Sequence, residues 1–212
     1  MDERNNLAGK AFAILGDSYS TFQGYIPPDY NFYYPRPEAV DDVLRVEETW
    51  WHRLAAGTGM ILSVNNSFSG STVCTQTRED HPTWNSYVRR AESVDFGAPD
   101  YILVFGATND SWLDREVGEP VYENRTEGQL RQVLPAFCHV LEVLSRRYPH
   151  AGLVAVVNTD LKPQIREGLC QAAAHYGAVA AVLENIEKQN GHPTAAGMAA
   201  IARQVEDALR GQ

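Results

Sequence analysis

Ala11-Phe12-Ala13-Ile14-Leu15, an apolar run, leads directly into the polar turn Gly16-Asp17-Ser18-Tyr19-Ser20. A short continuous apolar run bounded by turn residues is typical of a buried strand. The carboxyl ends of the strands in an open α/β sheet are where such folds bind ligands. The sequence therefore predicts that the Ser18 hydroxyl lies exposed at this edge, where a base can approach it. The alternative is an ordinary polar turn.

Short apolar runs alternate with helical patterns along the whole chain. The runs lack strict apolar–polar alternation, as expected for parallel strands covered on both faces. Within the longest helical pattern, Thr126 and Gln129 predict a capping box at the start, and Pro135 predicts a kink. Strands are predicted over residues 10–15, 60–65, 101–105, 153–157 and 178–183, and helices over residues 47–56, 86–94, 127–148, 162–176 and 193–209. Because strand–helix alternation indicates right-handed crossovers, we predict a three-layer α/β/α sandwich with a flavodoxin-like central parallel sheet of about five strands.

Length and charge limit the classes of function. The 212 residues are enough for one domain, and we predict a single domain over residues 1–212. The net charge of −9 disfavours nucleic acid and anionic membranes as partners, since both are bound by clustered lysines and arginines. The first residues, 1–6, lack the basic-then-apolar pattern of a secretory signal, so we expect a cytoplasmic protein. The oligomeric state is left open.

The cysteines and histidines predict no metal site. The three cysteines, Cys74, Cys138 and Cys170, are odd in number and widely spaced, which gives neither a disulfide framework nor a paired metal motif. None of the six histidines stands at close ligand spacing to another histidine or cysteine.

Two stretches are too long to be plain connections. Residues 19–46 are rich in tyrosine, proline and aspartate, and residues 111–125 contain Trp112. Both follow predicted strands, so we expect both at the carboxyl edge of the sheet near Ser18, where long loops are usually functional. Whether residues 19–46 form a mobile lid is left open.

His192 is the candidate base for Ser18, because a serine hydroxyl is a weak nucleophile until a base takes its proton. It is followed by Pro193, which suits the first position of a helix, so His192 is predicted at a helix start. The helix dipole there disfavours an imidazolium and would keep the ring neutral. The alternative is a capping or surface histidine.

Acyl transfer also needs donors aimed at the developing oxyanion. Gly70, after the second predicted strand, can present a backbone N–H, and Asn109, after the third, can present its side-chain amide. Each alone is also compatible with a polar turn. Because Ser18, Gly70, Asn109 and His192 follow four different strands, they can converge at one edge of the sheet.

In this order the residues resemble the SGNH, or GDSL-type, hydrolases over roughly residues 11–201. The resemblance implies a three-layer esterase or lipase fold with Ser18 as the nucleophile and His192 as the base. It implies an oxyanion hole formed by Ser18, Gly70 and Asn109, with no cofactor and no metal. The chain departs from the family's Gly-x-Asn-Asp pattern by one extra residue between Gly106 and Asn109.

A second departure concerns the residue behind His192. The family pattern Asp-x-x-His has aspartate three residues before the histidine, where this chain has Gln189. Gln189 could orient the ring as an acceptor, or Glu187 or Glu184 could replace the acid. A Ser–His dyad with a backbone carbonyl behind the histidine is equally compatible with the sequence.

The aromatic residues of the two long loops indicate which class of substrate to expect. Sugars stack on aromatic faces, so these side chains could line a cleft, or they could instead pack the loop onto the domain. They are Tyr25, Tyr30, Phe32, Tyr33, Tyr34 and Trp112. We predict a serine ester hydrolase that removes short acyl groups, with O-acetyl groups on a carbohydrate as the first candidate. The predicted binding partner is therefore its substrate, a small-molecule or carbohydrate ester.

Two other readings of the same residues stay open. One is a catalytically retired member of the fold that binds a glycan or small ligand. The other is a lipase or thioesterase with another acyl substrate. A phosphate-binding flavodoxin-like module is disfavoured, because Gly16-Asp17-Ser18 puts a carboxylate where a glycine-rich phosphate loop would lie.

Overall fold

The computed structural model describes residues 6–39 and 42–211. Residues 1–5, on which the signal-peptide expectation depends, lie outside the described residues, as do residues 40 and 41 of the first long loop and residue 212.

The core of the described structure is a parallel sheet of five strands in the order β2-β1-β3-β4-β5. Each strand lies where the apolar runs predict one, to within two residues at either end. The strands are β1 (Ala11–Gly16), β2 (Ile61–Ser67), β3 (Tyr101–Phe105), β4 (Gly152–Val157) and β5 (Val179–Val182). Because β1 is flanked by β2 and β3, the turn after β1 lies at the carboxyl edge between the ends of these two strands.

Helices cover both faces of the sheet, as predicted. The helices are α1 (Trp50–Thr58), α2 (Tyr87–Ser93), α3 (Thr108–Trp112), α4 (Val133–Arg147), α5 (Pro163–His175) and α6 (Ala195–Arg210). Alternate residues of β1 enter two separate apolar cores. Ala13 and Leu15 pack with α2, α4 and α5, whereas Phe12 and Ile14 pack with α1 and α6. This is the three-layer α/β/α arrangement.

The longest predicted helix is divided in two. Thr126 and Gln129 exchange the hydrogen bonds of a capping box, but these close a 3-10 turn over Gln129–Arg131. The helix α4 begins only at Val133, so Pro135 lies in its first turn. A missing N–H is tolerated there, because the first-turn donors have no partner within the helix.

None of the helices within the described part of the chain combines the length and the apolar character that a membrane span requires.

Candidate active site

Ser18 follows β1 with one intervening residue. The chain turns there because the Asp17 carboxylate accepts the backbone N–H of Tyr19, 3.1 Å away, and so caps a 3-10 helix over Ser18–Ser20. A side chain at Gly16 would collide with Ser67 at the end of β2, so only glycine allows this close approach of strand ends. Ser18 is only 3% exposed, not open to solvent as expected, because a histidine covers it.

His192 lies on Ser18. Its Nε2 is 2.9 Å from Ser18 Oγ, and its Nδ1 is 3.3 Å from the carbonyl oxygen of Asn190. Since a carbonyl can only accept, Nδ1 carries the ring proton, and Nε2 is left to accept from the serine hydroxyl. This is the arrangement that general-base activation of the serine requires.

A hairpin carries His192, where the sequence analysis predicted the start of a helix. The strands β6 (Lys188–Gln189) and β7 (His192–Pro193) pair antiparallel across Asn190 and Gly191, whose φ angles are +51° and +78°. Positive φ at both central residues defines a type I′ turn, for which Asn-Gly is a favoured sequence. The helix α6 begins only at Ala195, so the prediction of Pro193 at its first position is wrong.

The neutrality of the imidazole therefore has another cause than a helix dipole. Burial lowers the pKa of His192 to about 4, against the opposing effect of the hydrogen bond to Asn190. The positive charges of Arg36 and Lys188 lower this pKa further. The ring is consequently neutral at pH 7, as a base must be.

Glu187 and Gln189 are the candidates for orienting His192, and the hydrogen bonds of the imidazole go instead to Ser18 and Asn190. The Glu187 carboxylate accepts the hydroxyl of Thr194, which caps α6. Gln189 is exposed and pairs with His192 only as its neighbour in the hairpin. The carbonyl of Asn190 agrees with the alternative of a Ser–His dyad with a backbone carbonyl behind the histidine. The sequence analysis did not name the residue, although the dipeptide Asn-Gly was the signal that could have found it.

Three side chains hold this hairpin to the rest of the domain. The Tyr19 hydroxyl donates to the Gly191 carbonyl, and the Tyr34 hydroxyl donates to the Pro193 carbonyl, 2.7 Å away. The Lys188 ammonium donates to Asn158 Oδ1 at the end of β4, 3.0 Å away. The turn that contains Ser18, the long loop and the sheet therefore all fix the position of His192.

The loop aromatics divide into two groups. Tyr33 and Tyr34 are buried beside His192, so these two follow the alternative in which the aromatics pack the loop onto the domain. Tyr25, Phe32 and Trp112 are exposed, and Trp112 lies 5.6 Å from His192 between ring centres.

Gly70 and Asn109 lie in neighbouring turns. The Asn109 amide Nδ2 donates to the carbonyl of Ser71, the residue after Gly70, at 3.0 Å. Gly70 has φ +84°, and a side chain there would collide with His81. The extra residue before Asn109 is accommodated because Ala107, which caps α3, adopts a left-handed conformation with φ +71°.

Arg90 is a buried residue of this region that the sequence analysis missed. Its guanidinium donates to the Gly16 carbonyl at 3.1 Å and to Ser71 Oγ at 2.9 Å, and it also bonds the carbonyls of Asn66 and Asn85. It thereby joins the end of β1, which precedes Ser18, to the turn that contains Gly70.

Two buried carboxyl groups lie at the same edge. Burial raises the pKa of Asp17 to about 7, partly offset by the Tyr19 N–H and the charge of Arg90. Burial also raises the pKa of Asp110, whose oxygens accept the N–H groups of Val73 and Cys74. Among the described residues, no group of three or more His, Cys, Asp or Glu side chains could hold a metal ion.

Comparison with known proteins gives one family match. The model of the GDSL-like lipase/acylhydrolase family matches residues 10–209. No curated protein matches the chain.

Solved structures resemble the whole fold. A GDSL-like lipase from Bacteroides uniformis is 39% identical with a TM-score of 0.88, and the match covers 94% of each chain. One from Bacteroides ovatus is 35% identical with a TM-score of 0.88, covering 97% of this chain and all of its own. An acetyl xylan esterase from Butyrivibrio proteoclasticus is 17% identical with a TM-score of 0.56, covering 96% of this chain and 64% of its own, a likeness of fold alone.

Proposed function

This chain belongs to the GDSL-like lipase/acylhydrolase family. We propose that it is a serine ester hydrolase that removes short acyl groups, and that its preferred substrate is an O-acetylated carbohydrate. The observation that carries the proposal is the distance of 2.9 Å between Ser18 Oγ and His192 Nε2, with the Nδ1 side of the ring on a carbonyl. A surface or capping histidine is not expected to form hydrogen bonds of this kind through both ring nitrogens.

The reaction runs in two steps. Ser18 Oγ attacks the acyl carbon while its proton passes to His192 Nε2, and the carbonyl electrons move to the oxygen. The imidazolium then gives the proton to the leaving alkoxide, and an acyl-serine is left. Water, deprotonated by the same nitrogen, releases the acid and restores Ser18.

The negative charge on the carbonyl oxygen needs donors that are fixed before the reaction. We assign this role to the backbone N–H groups of Ser18 and Gly70 and to the side-chain amide of Asn109. The hydrogen bond from Asn109 to Ser71 supports the assignment, since it orients the amide beside the Gly70 turn and leaves its second N–H for the substrate.

Exposed aromatic rings around the site favour a carbohydrate over a fatty chain. Trp112, 47% exposed, lies against the hairpin at Gly191. Trp84, 44% exposed, lies 5.1 Å from Tyr30 between ring centres, and it contacts Phe68, which packs on the His81 ring beside Gly70. Such rings offer flat apolar faces with polar surroundings, which suit sugar rings. The fold is also that of an acetyl xylan esterase, whose name gives the same chemical class.

The first test is hydrolysis of p-nitrophenyl acetate by wild type, Ser18→Ala and His192→Ala. We expect both variants to lose at least about a thousandfold in kcat, because either removes the proton transfer on which the attack depends. Butyrate and octanoate esters run alongside give the preferred acyl length. Thermal unfolding of each variant is the control for folding.

A non-catalytic glycan-binding protein is the second candidate, favoured because the Nδ1 side of His192 meets the Asn190 carbonyl and no carboxylate of the described residues. A fluorophosphonate probe discriminates, since it labels only an activated serine. Labelling of Ser18 in wild type supports the hydrolase. An unlabelled, inactive wild type that still binds acetylated oligosaccharides supports the second candidate.

A further inference from the structure

Four aromatic rings surround the imidazole of His192. The ring centre of Tyr33 lies 3.5 Å away, that of Tyr19 5.3 Å, that of Trp112 5.6 Å and that of Tyr34 6.4 Å. They come from three separate parts of the chain: the turn after β1, the first long loop and α3. The histidine is thus enclosed by π systems, while the Asn190 carbonyl lies on its Nδ1 side, where a triad has a carboxylate.

The contact with Tyr33 differs from the other three. Its ring and the imidazole are stacked nearly parallel, with 7° between their planes, whereas the others meet the imidazole at 57° or more. Tyr33 is buried, and its backbone N–H donates to Thr21 Oγ1 at 2.9 Å, which fixes the loop over the site. The negative face of the tyrosine ring is therefore held against the imidazole.

Proton transfer from Ser18 makes His192 positively charged in a buried place. The Asn190 carbonyl orients the ring but brings only a partial charge, and the full charges of Arg36 and Lys188 both oppose an imidazolium. The Arg36 guanidinium lies over the same Tyr33 ring, 4.8 Å from its centre. The hydrogen bonds of the imidazole go to Ser18 and Asn190, so the imidazolium needs a further group to stabilise its charge.

We propose that Tyr33 is a positioning residue whose ring face stabilises the His192 imidazolium during acyl transfer, in place of the carboxylate of a triad. A cation against an aromatic face is attracted by the ring's quadrupole, and more strongly when it is desolvated. This inference rests on the proposed function, because it concerns the charge that forms only when His192 takes the Ser18 proton.

The test varies the electron density on the ring face with little change in the shape of the ring. In three separate variants, Tyr33 is replaced by phenylalanine (Tyr33→Phe), by 4-fluorophenylalanine or by pentafluorophenylalanine. Phenylalanine keeps the π face, so we expect kcat for p-nitrophenyl acetate within about twofold of wild type. Fluorine withdraws electrons from the face, so kcat should fall stepwise, to about tenfold below the phenylalanine variant with five fluorines, at unchanged KM.

Phe96 offers a matched control. It is fully buried in the other core and packs edge-on against Tyr148, 5.7 Å away between ring centres. Pentafluorophenylalanine in place of Phe96 should leave kcat unchanged, so a loss at position 33 alone supports the proposal. The one-fluorine variant is nearly the size of phenylalanine and keeps the comparison valid where the five-fluorine variant unfolds.

Equal kcat for the phenylalanine and fluorinated variants would overturn the proposal, since it leaves Tyr33 a role in packing alone. Labelling of wild-type Ser18 by a fluorophosphonate separates this failure from that of the proposed function. A labelled serine with no fluorine effect overturns only the role of Tyr33, whereas an unlabelled, inactive wild type removes both.

Discussion

At the scale of single residues, the proposed reaction makes two opposing demands on His192. As a base it must be neutral at the working pH, and burial secures this by lowering its pKa to about 4. As a proton carrier it must become an imidazolium for a moment, and the same burial makes that form costly. The serine hydroxyl, the Asn190 carbonyl and the surrounding rings are the groups that reconcile the two demands.

The low pKa of His192 predicts a wide acid range of activity. In the free enzyme kcat/KM should stay level from neutral pH downward and fall only near pH 4, where the base becomes protonated. Arg36→Gln removes a positive charge that lowers this pKa, so the fall should move to higher pH. The measurement is the pH profile of kcat/KM at low salt, because salt screens the exposed Arg36.

Arg36→Lys is the control for this variant. Lysine keeps the positive charge, so the pH profile of kcat/KM should match that of wild type. It lacks the planar guanidinium that lies over the Tyr33 ring. A profile that moves equally in both variants would mean that the contact with Tyr33 matters and the charge does not.

At the scale of elements, the apolar runs were sufficient to predict all five strands of the sheet, because a parallel strand covered on both faces must be apolar throughout. The hairpin around His192 could not be found in that way, since its strands are two residues each. Its signal was Asn190-Gly191, and Pro193 pointed to a helix instead. Burial of Tyr33 against His192 has no local signal, because the contact depends on the path of a long loop.

The hairpin also predicts which side chains are dispensable for catalysis. Glu187→Gln and Gln189→Ala should each keep kcat within about twofold, since the imidazole is oriented by the Asn190 carbonyl and neither side chain bonds it. Hydrolysis of p-nitrophenyl acetate by each variant measures this.

The two variants should differ in stability. Glu187→Gln weakens the bond to Thr194, the cap of α6, and we expect a loss of about 0.5–1 kcal/mol in the free energy of unfolding. Gln189 is exposed, so its variant should match wild type in a urea titration. A large fall in kcat for Glu187→Gln at unchanged stability would restore the carboxylate as a partner of His192.

At the scale of the whole molecule, buried charged groups connect the parts of the site across the sheet. Arg90 and Asp110 bond backbone groups of β1, β2 and the turns after β2. Sequence reasoning predicted that Ser18, Gly70, Asn109 and His192 lie at one edge, because each follows a predicted strand. It could not find Arg90, since an arginine in a short helix is ordinarily exposed.

Asp17 and His192 tie the stability of the molecule to pH in opposite directions. The pKa of Asp17 is about 7 in the folded chain and about 3.8 ordinarily, so between these values the folded state holds a proton that the unfolded state has lost. Stability should therefore fall as pH rises. His192, with a pKa of about 4 against 6.5, binds its proton only in the unfolded state over nearly the same range, so its contribution rises with pH.

The last prediction separates these two contributions. Asp17→Asn keeps the oxygen that accepts the Tyr19 N–H and removes the titration. Relative to wild type the variant should gain stability as pH rises from about 4.5 to 6.5, by at most about 1.4 kcal/mol per pH unit. Urea unfolding at several pH values measures the difference. For the control variant Asp100→Asn, the difference in unfolding free energy from wild type should be the same at every pH. Lys10 holds the pKa of Asp100 below its usual value and therefore outside this range. If the difference for Asp17→Asn did not change with pH, the buried carboxyl group would be ionised at every pH tested. The positive charge of Arg90 would then stabilise the Asp17 carboxylate enough to overcome the effect of burial.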